Sequence, residues 1–181
     1  MLKFSFNQRF VRKQLDSERP RIFRMAFAWC GDRHLADDLV QQTMIKALER
    51  SHQLKDTRAF RGWFYRILSN SWHDHLRSLK PESELDPELL VCENCPEKAF
   101  QTNFVGEAVR CAIAKLPVGQ REVVMLVDLE GFSYKEVGEI LGVPTGTVMS
   151  RLSRARKKLE LELTRQALRP TDNVSPLRRV K

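Results

Sequence analysis

The sequence predicts an all-α protein of two small helical domains joined by an acidic linker. Three observations predict it. Apolar residues recur at three- and four-residue spacing through 8–79 and again through 103–164, and a hydrophobic content of 42% is enough for real cores. Between the two blocks, residues 81–100 carry six acids, one base and three prolines, a composition that does not favour a compact core. Inside the second block, Gly131, Ser133, Gly142, Pro144 and Thr145 fall where a helix-turn-helix needs its stops and starts. At 181 residues the chain has room for two domains, which commonly run from about 50 to 250 residues.

In the first domain, 8–79, residues 8–29 read as a helix broken near Pro20, with Ile22, Phe23, Met25, Ala26 and Trp29 on its buried side. Gly31 and Asp32 mark the following turn. A second helix buries Leu35, Leu39, Val40, Met44, Ala47 and Leu48 and turns Asp37, Asp38, Gln41, Gln42 and Lys46 outward. Asp37 and Asp38 read as first-turn carboxylates favoured by the helix dipole, which is a sufficient structural role. Residues 51–59, with Lys55 and Arg58, form a polar loop. A third helix, 59–79, places Phe60, Phe64, Ile67, Leu68, Trp72, Leu76 and Leu79 in one sector. Arg66, Asn70, His73 and Arg77 line the opposite sector, with Trp63 at its edge. Cations that hold phosphates beside a flat ring that replaces lost base stacking suit single-stranded nucleic acid. A half-buried tryptophan beside solvated cations is the alternative reading.

Residues 80–102 form the linker, in which Leu89, Leu90 and Val91 could dock as a short helix. The second domain, 103–164, opens with an amphipathic helix (Val105, Val109, Ala112, Ile113, Leu116). Gly131 then ends a hydrophobic helix, and Ser133 with Glu136 makes a capping box for a short one. That helix ends at Leu141, with Gly142 able to take the left-handed C-cap and Pro144 unable to continue. Thr145 caps the next helix, whose stripe is Val148, Leu152, Ala155 and Leu159. Thr147, Ser150, Arg154 and Lys157 project away from the stripe and Arg151 lies on its flank. Together with Arg156 and Lys158 this gives five basic residues without an acid between them, which in a helix-turn-helix points to DNA. The tail 165–181 is basic, holds two prolines and is expected to be mobile.

The charge of +8 and pI near 9.6 favour a polyanionic partner. By segment, residues 1–80 carry 16 bases and 8 acids, 101–164 carry 9 and 8, and 165–181 carry 5 and 1, so the acidic island stands alone. No apolar run approaches the roughly 20 residues that cross a bilayer, and the N-terminus lacks a secretory apolar core. No membrane insertion and a cytoplasmic location are therefore expected. Cys30 and Cys111 read as small buried hydrophobes. Neither metal nor cofactor is expected: Cys92 and Cys95 have no second pair at zinc spacing, and His73 and His75, two apart on a helix, point to different sides. The sequence offers no catalytic constellation, so an enzyme is not expected.

Taken together, AxDLVQxT at Ala36–Thr43, FRGWFYRILSN at Phe60–Asn70, DHLR at Asp74–Arg77, LPxGQREV from Leu116 and GFSYKEVGEILGVPTGTVxSRLxRARKKL resemble the sigma-70 family of bacterial transcription initiation factors, specifically its extracytoplasmic-function group. The resemblance implies a region 2-like first domain and a region 4-like second one. It implies that Asp38 and Gln41, with Gln42 on the same face, bind the clamp helices of core RNA polymerase. The loop carrying Lys55 and Arg58, with Asn70, would capture a base flipped from the -10 element, and Trp63, Arg66, His73 and Arg77 would lie along the melted strand. Ser150, Arg151 and Arg154 would meet the -35 bases in the major groove, with Thr147 on phosphate and Lys157 beside them. An anti-sigma partner is also implied. Two positions depart from the family pattern: Met149 stands where Lys or Arg is usual, and His73 where an aliphatic residue is usual. Met149 cannot donate to a guanine edge, so the resemblance does not transfer a -35 sequence.

The alternative is a stand-alone helix-turn-helix regulator acting without polymerase. It leaves the Asp38/Gln41 face and the aromatic-basic strip without a role, and it predicts a dimer on a palindromic site.

Overall fold

A computed structural model describes residues 6–79 and 104–167, and all the regular structure in these residues is helical. In chain order the helices are α1 (Phe6–Cys30), α2 (Arg33–Glu49), α3 (Phe60–Leu79), α4 (Phe104–Ala114), α5 (Val118–Val124), α6 (Tyr134–Leu141) and α7 (Thr145–Ala167). Short 3-10 turns at Ser51–Gln53 and Thr57–Ala59 join α2 to α3, and a π turn at Met125–Leu129 extends α5. The expected linker 80–102, the side chain of Val105 and most of the basic tail lie outside the described residues.

Helix α1 runs unbroken through Pro20, contrary to the expected break. Val11, Leu15, Ile22, Met25, Ala26 and Trp29, on both sides of the proline, are each at most 2% exposed. Burial of this continuous face, at roughly 1.5–3 kcal/mol per large apolar side chain, is enough to offset the ~3 kcal/mol of an interior proline. Gly31 takes φ 73°, and Asp32 caps α2 by accepting from the Leu35 amide at 2.8 Å. Because α2 starts at Arg33, Asp37 and Asp38 lie beyond its first turn, where the dipole effect has decayed. The structural role expected for them there does not hold.

The helix-turn-helix forms as its punctuation requires. The Ser133 amide donates to Glu136 Oε2 at 2.8 Å and the Glu136 amide to Ser133 Oγ at 3.3 Å, closing the capping box. Gly142 takes φ 67° at the end of α6. The amides of Thr147 and Val148 donate to the Pro144 carbonyl, so Pro144 holds the cap position of α7 and Thr145 is the first helical residue, which starts the helix one position earlier than expected. Val148, Leu152 and Ala155 are buried and Leu159 is half-buried, as the stripe predicts.

Buried side chains of the two halves join in one cluster. The Tyr65 ring of α3 meets the Phe132 ring edge-on at 5.2 Å between centroids. Arg61 lies over the same Phe132 ring at 5.0 Å and bonds Glu130 Oε2 at 2.7 Å. Leu79, assigned to the apolar stripe of α3, is 65% exposed at the last residue of that helix.

Candidate nucleic-acid interface

Three exposed strips carry the residues singled out by sequence. On α2, Asp38, Gln41 and Gln42 face solvent together with Ile45, which is 56% exposed. Ile45 went unassigned, although its spacing of three and four from Gln42 and Gln41 puts it on the same strip. Lys46, expected outward, instead folds onto α3, with Nζ 3.0 Å from Ser71 Oγ and 3.6 Å from Asp74 Oδ2.

The second strip combines the 51–59 loop with α3. Buried Ser51 and Leu54 anchor the loop and leave Lys55 and Arg58 exposed. Asp56 caps the turn, accepting from the Arg58 amide at 2.9 Å and pairing with its guanidinium at 3.0 Å, which holds the Asp56 carboxyl below its usual pKa. Along α3, Arg66, Asn70 and Arg77 are exposed, and Arg77 is paired with Asp74 one turn earlier. Trp63 is half-buried against Phe60, with ring centroids 6.1 Å apart, so its ring is shared between core and surface. His73 leaves this strip: its Nε2 lies 2.7 Å from Oε1 of Glu122 on α5. His75 stacks on Trp72, so the two histidines do diverge.

The third strip is α7. Ser150, Arg154 and Lys157 are exposed, and Thr147 and Arg151 are half-buried. The Ser150 hydroxyl donates to the Thr147 carbonyl at 3.0 Å, and Arg154 Nε donates to the Ser150 carbonyl at 3.3 Å. Arg151 runs across Gly119, where an added Cβ would come within 3.0 Å of the guanidinium carbon. Its charge is close enough to His73 to oppose protonation there. Arg156, one of the five bases, is committed to Asp128, with Nε 3.2 Å from Oδ2. Thus His73, assigned to the -10 strand, lies at the contact between the two halves, whereas Arg151, assigned to the -35 duplex, packs on α5 of its own half.

Sequence reasoning missed Arg121 and Glu122, each 1% exposed. The Arg121 guanidinium donates to the carbonyls of Trp29 (2.6 Å), Leu116 (2.9 Å) and Ala114. Trp29 and Ala114 lie at the C-terminal ends of α1 and α4, where carbonyls lack helical partners. The only signal in the sequence was the GQREV run itself. Cys30 is buried as expected, but Cys111 is half-buried and disulfide-bonded, which corrects its reading as a buried hydrophobe. Cys92 and Cys95 lie outside the described residues. Among the described residues, no cluster of three or more potential metal ligands occurs and no helix is long and apolar enough to cross a membrane.

Comparison with known proteins assigns the two halves separately. The family model for sigma-70 region 2 matches residues 15–82, and that for sigma-70 region 4 matches residues 106–159. The chain is 36% identical over 154 residues to the ECF RNA polymerase sigma factor SigE of Mycolicibacterium smegmatis, covering 82% of this chain and 58% of that protein. It is 30% identical over 161 residues to the ECF RNA polymerase sigma factor SigW of Bacillus subtilis, covering 82% and 86%. In structure it resembles the sigma factor RpoE solved with the anti-sigma factor NepR from Bartonella quintana, with TM-score 0.72, 26% identity and coverage of 84% of this chain and 96% of that one.

Proposed function

We infer the function from one premise: the chain belongs to the sigma-70 family, in its extracytoplasmic-function group. It acts as an alternative sigma factor that binds core RNA polymerase in the cytoplasm, directs it to a set of promoters and helps melt the -10 element. It carries no chemistry of its own.

The observation that carries this reading is that the exposed Arg66, Asn70 and Arg77 of α3 occur in the same chain as a complete helix-turn-helix. A duplex reader has no need of the α3 strip, whereas a protein that also holds an opened strand does. In this reading Asp38, Gln41 and Gln42 face the polymerase clamp. Lys55, Arg58 and Asn70 receive the flipped base, and Trp63, Arg66, His73 and Arg77 follow the single strand. Thr147, Ser150, Arg151, Arg154 and Lys157 engage the -35 duplex. Using His73 on DNA requires the two halves to part, because its ring is bonded to Glu122 across the contact between them. The relative solved with NepR supports an anti-sigma partner for this chain as well.

Gel shift and run-off transcription on promoters selected from genomic DNA, with and without core polymerase, test the reading. Promoter-specific binding and transcription should appear only with core polymerase. Tight, specific binding by the free protein as a dimer on a palindrome would instead establish the stand-alone regulator.

A further inference from the structure

The first turns of the recognition helix α7 present one long apolar side chain, Met149, on a surface otherwise made of small and basic residues. Over its first turns Gly146, Met149, Ser150, Ser153 and Arg154 are exposed. Gly146, Ser150 and Ser153 are too short to reach far from the backbone, and the Ser150 hydroxyl donates to its own helix. The side chains long enough to extend from this exposed surface are Met149 on one flank and Arg154 on the other. Met149 is 54% exposed and borders a shallow depression shared with Tyr134, the first residue of α6. Arg156 lines the same depression, but its guanidinium is bonded to Asp128.

A thioether is at most a weak acceptor and cannot donate to guanine O6 or N7. The apolar feature that the major groove does offer is the C5 methyl of thymine. Small neighbours let the helix approach the base edges, and Arg154 and Lys157 supply the attraction to phosphate that brings the duplex in. Met149 and Arg154 are five residues apart, about 7.5 Å along the helix axis at 1.5 Å per residue.

We propose that Met149 reads a thymine methyl in the -35 element. The proposal rests on the promoter-reading function given above and adds a base identity to it.

The test uses holoenzyme reconstituted from core polymerase and the full chain. Selection from duplexes randomised across the -35 region gives the preferred sequence, and each selected thymine is then replaced singly by deoxyuridine, which removes only the methyl. At one position the wild-type holoenzyme should lose about fourfold in affinity, the factor expected for one buried methyl-sized group. Met149→Ala should abolish that sensitivity and Met149→Leu should keep it. The exposure of Met149 leaves the core intact in both variants, and unchanged melting temperatures check this. If no thymine shows a methyl effect that depends on residue 149, while Arg154→Ala still alters the -35 preference, the proposal is wrong and promoter reading stands. A holoenzyme with no -35 preference removes both.

Discussion

His73 of α3 and Glu122 of α5 form a hydrogen-bonded ion pair between the two halves of the chain, Nε2 to Oε1 2.7 Å, with the carboxylate side chain only 1% exposed. Burial disfavours the imidazolium, and Arg77 and Arg151 oppose it further, but the hydrogen bond and charge of Glu122 outweigh them, so His73 titrates above its ordinary value of 6.5. A histidine with a raised folded pKa stabilises fully below its unfolded pKa and loses that contribution as pH rises through the folded value. The contact should therefore be strongest below pH 6.5 and weaken above it. Thermal melts across this range should show the decline, and His73→Gln should flatten it; an identical slope in the variant would assign the titration to another group.

Arg121 should be the most sensitive single position in the contact between the halves. Its guanidinium satisfies the Trp29, Ala114 and Leu116 carbonyls in a site closed to water. Arg121→Met keeps much of the side-chain length and strands those acceptors, a loss on the order of 3 kcal/mol. Arg121→Lys should recover only part of it, because a point-like ammonium cannot reproduce the planar fork. Urea unfolding of the three proteins ranks them directly, and equal midpoints for wild type and Arg121→Met would remove the assignment.

Gly138 should tolerate no side chain. A Cβ there would lie 2.9 Å from the carbonyl oxygen of Val143, while the Val143 amide already donates to the Gly138 carbonyl at 3.0 Å. Backbone on both sides of the turn leaves nothing flexible to yield, so Gly138→Ala should destabilise the helix-turn-helix by about 1–3 kcal/mol. Gly146→Ala, whose Cβ would meet nothing within 4 Å, is the control. Hydrogen exchange should rise over α6 and α7 in the first variant only.

What the sequence revealed depended on the range of the physics involved. The capping box at Ser133 and the left-handed Gly142 could be read because their chemistry closes within a few residues. The buried stripe of α7 could be read because one helix defines it. Tyr65 could not: it lies off the apolar sector of α3 and is fully buried, packed edge-on against Phe132 from the other half. Arg121 and Glu122 escape notice in the sequence for the same reason, since Trp29 and His73, to which they respectively bond across the halves, are distant in sequence. The candidate interface divides along this line. Arg66, Asn70, Ser150, Arg154 and Lys157 face solvent as the helical wheel predicts, whereas His73 is drawn onto Glu122 of the other half and Arg151 across Gly119 of α5, contacts that helical periodicity cannot encode.

Trp63 separates a packing role from a strand-holding one. Its ring is half-buried and tilted 46° to Phe60, on the same helix as the exposed Arg66 and Asn70. Trp63→Ala removes both contributions, whereas Trp63→Leu keeps apolar packing and removes the flat face. If the ring only packs, Leu should restore function along with stability. If it takes the place of a stacked base, both variants should still bind core polymerase, and both should lose permanganate reactivity at the -10 region. Stacking on an aromatic side chain contributes about 1–3 kcal/mol per base, which corresponds to a five- to 150-fold change in the opening equilibrium. Full opening by Trp63→Leu would return this ring to the core.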